Sequence, residues 1–143
     1  MKYLLIVAIA WVAAQGAKQL VRMLGHNRRI FHGNPRSGLL LSGGMPSAHA
    51  ASVAALAIAI GWYDGVQGAS FAIAALFAAV VMYDAIMVRF SSGEQGNALR
   101  EVITMQKLPL KMPRVAHGHT PVEVLVGAVL GAAIASVVIF ATK

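Results

Sequence analysis

Two histidines stand in settings where an imidazole could do chemistry. His119 and Glu123 are four residues apart in GHTPVE, a spacing that sets a carboxylate one helical turn from an imidazole it can orient. The same residues read as a helix start, with Thr120 as N-cap and Glu123 as the third residue of a capping box. The two readings are compatible, since a capping carboxylate can also reach the histidine. His49 closes the stretch SGGMPSAH. Pro46 suits the first position of a helix, where its missing amide would have no partner. Gly43 and Gly44 leave the preceding backbone free to turn its N–H groups inward, and Ser47 and His49 fall within the first turn. A helix N-terminus with open amides attracts anions. The stretch therefore reads either as a phosphate cradle beside a histidine or as a plain glycine turn before an interfacial one.

Charged groups near these motifs sit in apolar surroundings. Gln15, Lys18, Gln19 and Arg22 fall on one helical face. Such groups either line a polar interior or carry their charge out to the lipid headgroups. In YDAIMVRF, Asp84 follows an apolar run, and an acid in that position is by default paired or functional. Arg89, Lys18 and Arg22 are its candidate partners.

The elements that must hold these residues are apolar helices. Of 143 residues, 58% are apolar and only 12% charged, with mean hydropathy +0.69. Soluble domains carry about twice that share of charge. Four apolar segments, 3–24, 46–62, 66–88 and 121–141, are each close to the roughly 20 residues that span a bilayer core. The second is short and is expected to begin within the headgroup region. Abundant Ala and Gly suit close helix approach in lipid. The fold class predicted is all-α: one integral membrane domain over 1–143, a bundle of about four transmembrane helices. A short interfacial helix is expected in NALREVITMQKLPLKMP, where Leu99, Val102, Ile103 and Leu108 share a side. It would lie on lipid or pack over the mouth of the bundle. The first segment has the make-up of a secretory leader, but its helical pattern runs past Ala14, so a retained helix is expected.

The connections differ in charge. Lys18, Arg22, Arg28, Arg29 and Arg36 flank the first, Arg89, Arg100, Lys107, Lys111 and Arg114 the third, and WYDGVQ between the middle segments has no Lys or Arg. The positive-inside tendency puts the two basic connections in the cytoplasm and both termini with the Asp64 turn outside. An arginine-rich active site would give the same asymmetry. The net charge of +7 suggests anionic lipid or an anionic substrate rather than nucleic acid, for which there is no motif. There is no cysteine, hence no disulfide framework or thiolate metal site.

Taken in order, GGMPS-x-H, YDA-x2-VR and GHTP-x-E resemble the small divergent branch of the type 2 phosphatidic acid phosphatase family, which is related to the vanadium haloperoxidases. The resemblance runs nearly end to end. It implies phosphoryl transfer through a phosphohistidine, without cofactor or metal. His119 would be the nucleophile, Glu123 the carboxylate that orients it, and His49 the acid to the leaving alkoxide and then the base for water. Lys18, Arg22, Arg89 and Arg114, with the Gly43, Gly44 and Ser47 stretch, would hold the phosphoryl oxygens. Phosphoryl transfer depends on positioning and charge neutralisation, which such groups supply. The chain departs from the family in four places. Lys-x6-Arg-Pro is absent, since Gly25 follows the six residues after Lys18. Pro113 stands where an arginine is usual, with Arg114 one residue late. Ala48 replaces glycine, and Glu123 replaces aspartate.

The function expected is a lipid phosphate phosphatase of the inner or plasma membrane, its site facing the cytoplasm. Phosphatidylglycerophosphate and phosphatidic acid are the expected substrate types, with isoprenyl phosphates also open. The expected partners are membrane lipids and the lipid phosphate, and a homo-oligomer is left open. The alternative is a non-catalytic protein that binds anionic lipid or serves as a subunit of a larger assembly. A third reading is a proton or anion path along Asp84 and the polar stripe.

Overall fold

The computed structural model describes residues 1–24, 44–113, 115 and 118–143, excepting the side chain of Arg22. Within them the chain forms α1 (Lys2–Met23), α2 (Ala48–Tyr63), α3 (Ala69–Tyr83), a π-helical turn (Asp84–Val88), α4 (Arg89–Met105) and α5 (Pro121–Ala141). There is no strand among the described residues. This is the all-α bundle expected. Two differences of extent stand out. α3 begins at Ala69, after the Gly65 turn, and runs through the π turn into α4 as one helical stretch of 37 residues. At 1.5 Å per residue that is about 55 Å, well beyond the roughly 30 Å of a bilayer core. The interfacial helix is therefore a continuation of the third span, ends at Met105, and leaves residues 106–113 non-helical.

α2 is the hub, packed against α1, α3 and α5, while α1 and α5 also touch each other. Its contact with α5 is a match of small residues. Gly127, Gly131 and Ala135 recur every four residues on α5, against Ser47, Ala51 and Ala55 on the α2 side. A Cβ on Gly127 would collide with the Ser47 backbone, and one on Gly131 would lie 2.6 Å from the Ala51 carbonyl carbon. The backbones approach closely because these positions lack side-chain bulk, which is how helices gain dispersion contact in lipid.

The distribution of bulk is the reverse of a water-soluble bundle. The core holds Ala10, Ala14, Ala51, Ala55, Ala59 and Ala135 with Ile6 and Ile139. Leu4, Val12, Ile73, Leu76, Phe77, Val80, Leu125, Val129 and Phe140 face outward. In water such a surface would drive aggregation, whereas in hydrocarbon it is solvated. Among the described residues, three stretches (Lys2–Val21, Ala69–Met105 and Pro121–Ala141) are long and apolar enough to cross a membrane, and α2 is a shorter apolar helix. The protein is an integral membrane protein.

The two ends of the bundle differ. At one end Tyr3 Oη donates to Asp64 Oδ1 at 2.5 Å, and Tyr3 meets Tyr63 edge to face. Lys2 Nζ lies 3.6 Å from the centre of the Tyr63 ring, and Lys143 Nζ lies over Trp62. These rings have the amphipathic character of membrane-interface anchors. Both chain ends thus meet the Asp64 turn. The histidine motifs occupy the other end.

Candidate active site

The third motif folds as its spacing requires. Thr120 is the N-cap of α5, and its Oγ1 accepts the Glu123 amide at 3.3 Å. Glu123 Oε2 accepts the Thr120 amide at 3.1 Å, closing the capping box. The same Oε2 faces Nδ1 of His119 at 3.1 Å. A carboxylate there selects the tautomer with a proton on Nδ1 and leaves the Nε2 lone pair for an electrophile. Capping and orientation are therefore one arrangement. Glu123 is long enough to reach back to both groups, which gives its replacement of aspartate a physical sense. His119 is 3% exposed and Glu123 6%.

The first glycine–proline motif folds differently from expectation. Ser47, not Pro46, marks the helix start. It is the N-cap of α2, its Oγ accepts the Ala50 amide, and the Met45–Pro46 peptide is cis. Pro46 therefore precedes the helix instead of opening it, and Ser47 lies outside the first turn. Two side-chain–backbone options compete at such a start, and the serine hydroxyl, which can take an orphan amide, prevails over proline's preset φ. The Ser47 amide donates to the Glu123 carbonyl at 3.0 Å. Ser47 thus ties the N-terminus of α2 to that of α5 and brings both histidine motifs to one end of the bundle. Gly44 has φ of +89°, a conformation that favours glycine. Gly43 lies outside the described residues.

The middle motif completes the cluster. The Arg89 side chain donates through Nε to Asp84 Oδ2 at 3.0 Å, so Arg89, one of the candidate partners of Asp84, does pair with it. The His119 amide donates to the Ala85 carbonyl at 3.0 Å. Gly118 lies against α4 so closely that a Cβ would fall 2.6 Å from the Phe90 nitrogen. His49, exposed at the rim, is within electrostatic reach of Arg89, His119, Lys18 and Asp84. Lys18 also acts on Glu123 and is 6% exposed, so it turns inward instead of out to the headgroups. Gln15 and Gln19 on the same stripe are engaged as well.

Of the named residues, His49, Lys18, Asp84, Arg89, His119 and Glu123 come together, with Ser47 as the tie beneath them. Arg114 and the side chain of Arg22 lie outside the described residues. Arg100 is turned elsewhere, donating to the Pro113 carbonyl at 2.9 Å and holding residues 106–113 back on α4. Two contributors were not singled out from sequence: the Ala85 carbonyl and the missing side chain of Gly118. Gly118 carried a signal, since a glycine beside a histidine at a helix start often marks close backbone approach. The Ala85 carbonyl carried none.

Chemically, the arrangement offers an oriented imidazole, a second imidazole, and two cations at the end of an apolar bundle. Residues 1–134 match the Divergent PAP2 family. The chain belongs to that family. This is the branch that the three motifs resemble. The chain is also similar to a Bacillus subtilis (strain 168) protein described as "Uncharacterized membrane protein YuiD", at 31% identity over 105 residues. That match spans 63% of this chain and 66% of the relative, just under two thirds of its length. No solved structure matches the chain.

Proposed function

We propose that the protein is a membrane-embedded phosphatase that hydrolyses a lipid phosphate monoester through a phosphohistidine. The observation that carries this reading is the buried His119–Glu123 pair, with His49, Lys18 and Arg89 grouped around it. In the first step the His119 Nε2 lone pair forms a bond to phosphorus and the P–O bond to the lipid alcohol breaks. His49 delivers a proton to the departing alkoxide. In the second step His49 takes a proton from water, the water oxygen bonds to phosphorus, and the P–N bond breaks. Inorganic phosphate leaves and both histidines return to their starting state. Lys18 and Arg89 neutralise the phosphoryl oxygens, which matters most in a site removed from water. Arg22, Arg114, Gly43 and Gly44 are the further phosphate contacts proposed.

The substrate proposed is a lipid of the cytoplasmic leaflet with a terminal phosphate, such as phosphatidylglycerophosphate or phosphatidic acid. Lys18 and Arg89 lie at the site end of the helices, and the basic make-up of the two connections supports a cytoplasmic orientation. Purified protein in lipid nanodiscs should release phosphate from at least one of these lipids, and His119→Ala should not. Absence of release by the wild type from all of them would refute the reading.

A second reading is favoured by one observation, the missing Lys-x6-Arg-Pro motif: a non-catalytic protein that binds anionic lipid or joins a larger assembly. It predicts that binding of phosphatidic acid vesicles survives His119→Ala with no phosphate release from either form.

A further inference from the structure

We infer that the π turn Asp84–Val88 is the positioning element of this site, fixing the His119 backbone and aiming Arg89. The inference rests on the phosphatase reading for its catalytic half and on geometry alone for its scaffold half. In an α-helix the Arg89 amide would donate to the Ala85 carbonyl, four residues back. Here it donates to the Asp84 carbonyl, five residues back. That shift deprives the Ala85 carbonyl of its intrahelical donor. The His119 amide takes its place, at 3.0 Å. π turns of this kind are often found where a helix serves a functional site.

The same turn sets the side chains. Asp84 Oδ2 holds Arg89 by Nε. A guanidinium held there keeps its two terminal nitrogens for another acceptor, and Arg89 is already within electrostatic reach of His49. Gly118 rests against the Phe90 backbone just beyond the turn, so the segment entering α5 is pinned at Gly118 as well as at the His119 amide. Asp84 thus acts through Arg89, and Ala85 acts through His119. Neither needs to touch the substrate.

Removing Met87 closes the turn to a regular α-helix and returns the Ala85 carbonyl to its own ladder. Amide hydrogen exchange reads this directly in the full chain in nanodiscs. At least tenfold faster exchange at His119, with the amides in the middle of α5 still protected, is the expected result. Unchanged exchange at His119 overturns the scaffold half. A second test uses point variants and orthovanadate, a phosphoryl mimic, as the probe. Asp84→Ala and Arg89→Ala should each weaken vanadate binding about tenfold, and Asp84→Ala should add nothing in the Arg89→Ala background. A conservative Asp84→Asn should retain part of the affinity. Fully additive losses, as expected of a merely structural aspartate, overturn the aiming of Arg89. A wild type that bound no vanadate would overturn the phosphatase reading together with the Arg89 half, and the exchange experiment would still decide the His119 half.

Discussion

The carboxylate of Glu123 has two duties on one oxygen, and substitutions can separate them. Thr120→Ala removes one side of the capping box and should cost about 1 kcal/mol of stability, while leaving the His119 contact in place. Denaturation of the two proteins in detergent and phosphate release measured below the transition should show a weaker fold with nearly full activity. Glu123→Gln keeps the length of the side chain but loses the charge that stabilises the ring. Activity should fall about 100-fold or more, by analogy with other orienting carboxylates. On the proposed mechanism His49 protonates the leaving group. His49→Ala should therefore be much less damaging to phosphoenzyme formation from p-nitrophenyl phosphate, whose phenolate leaves without a proton, than from phosphatidic acid. Equal losses on both would contradict that role. His119, Thr120 and Glu123 were legible in the sequence because they lie within about one helical turn of one another. Asp84 was legible only as a question, since three cations were within its range and only the packed structure shows Arg89 paired with it.

Among the elements, the α2–α5 contact decides whether a site exists at all. It is formed from glycine and alanine, with no room for a side chain at Gly127 or Gly131. Gly131→Ala should destabilise the protein by about 1–3 kcal/mol through overpacking, measured by loss of the folded fraction on heating in detergent. Gly16, whose added Cβ would meet nothing within 4 Å, is the control, and Gly16→Ala should be tolerated. The helices themselves were readable from runs of Ala, Val, Leu and Ile. Their ends were less so. Pro46 and Ser47 both signal a helix start, and only the tertiary bond from the Ser47 amide to the Glu123 carbonyl shows how that start is fixed. The π turn has no signature in its five residues, because it arises from the fit of the third span to the segment entering α5. The polar composition of α4 suggested a separate interfacial helix for the same reason: sequence reports polarity, not whether the chain breaks.

For the molecule as a whole, the two ends carry different chemistry. One gathers the chain termini, the Asp64 turn and the ring cluster; the other gathers the histidines and cations. The orientation proposed places the site end in the cytoplasm. The chain has no cysteine, so single cysteines report topology cleanly. In intact cells a membrane-impermeant maleimide should label Asp64→Cys and spare Lys111→Cys, with both labelled after permeabilisation. The opposite pattern would turn the site outward and move the substrate to the other leaflet. The apolar spans were predictable from hydropathy and the ring cluster was not, and the contact that joins the histidine motifs, with α2 and α5 starting side by side, is tertiary.

The most direct measurement is acid-free quenching of the protein during turnover of radiolabelled phosphatidic acid or phosphatidylglycerophosphate, followed by mapping of the label. The account predicts one acid-labile, alkali-stable phosphoryl group on His119 that is lost in His119→Ala and builds up in His49→Ala when the leaving group needs no proton. Phosphate release that persists in His119→Ala, or turnover with the label on another residue, would contradict it.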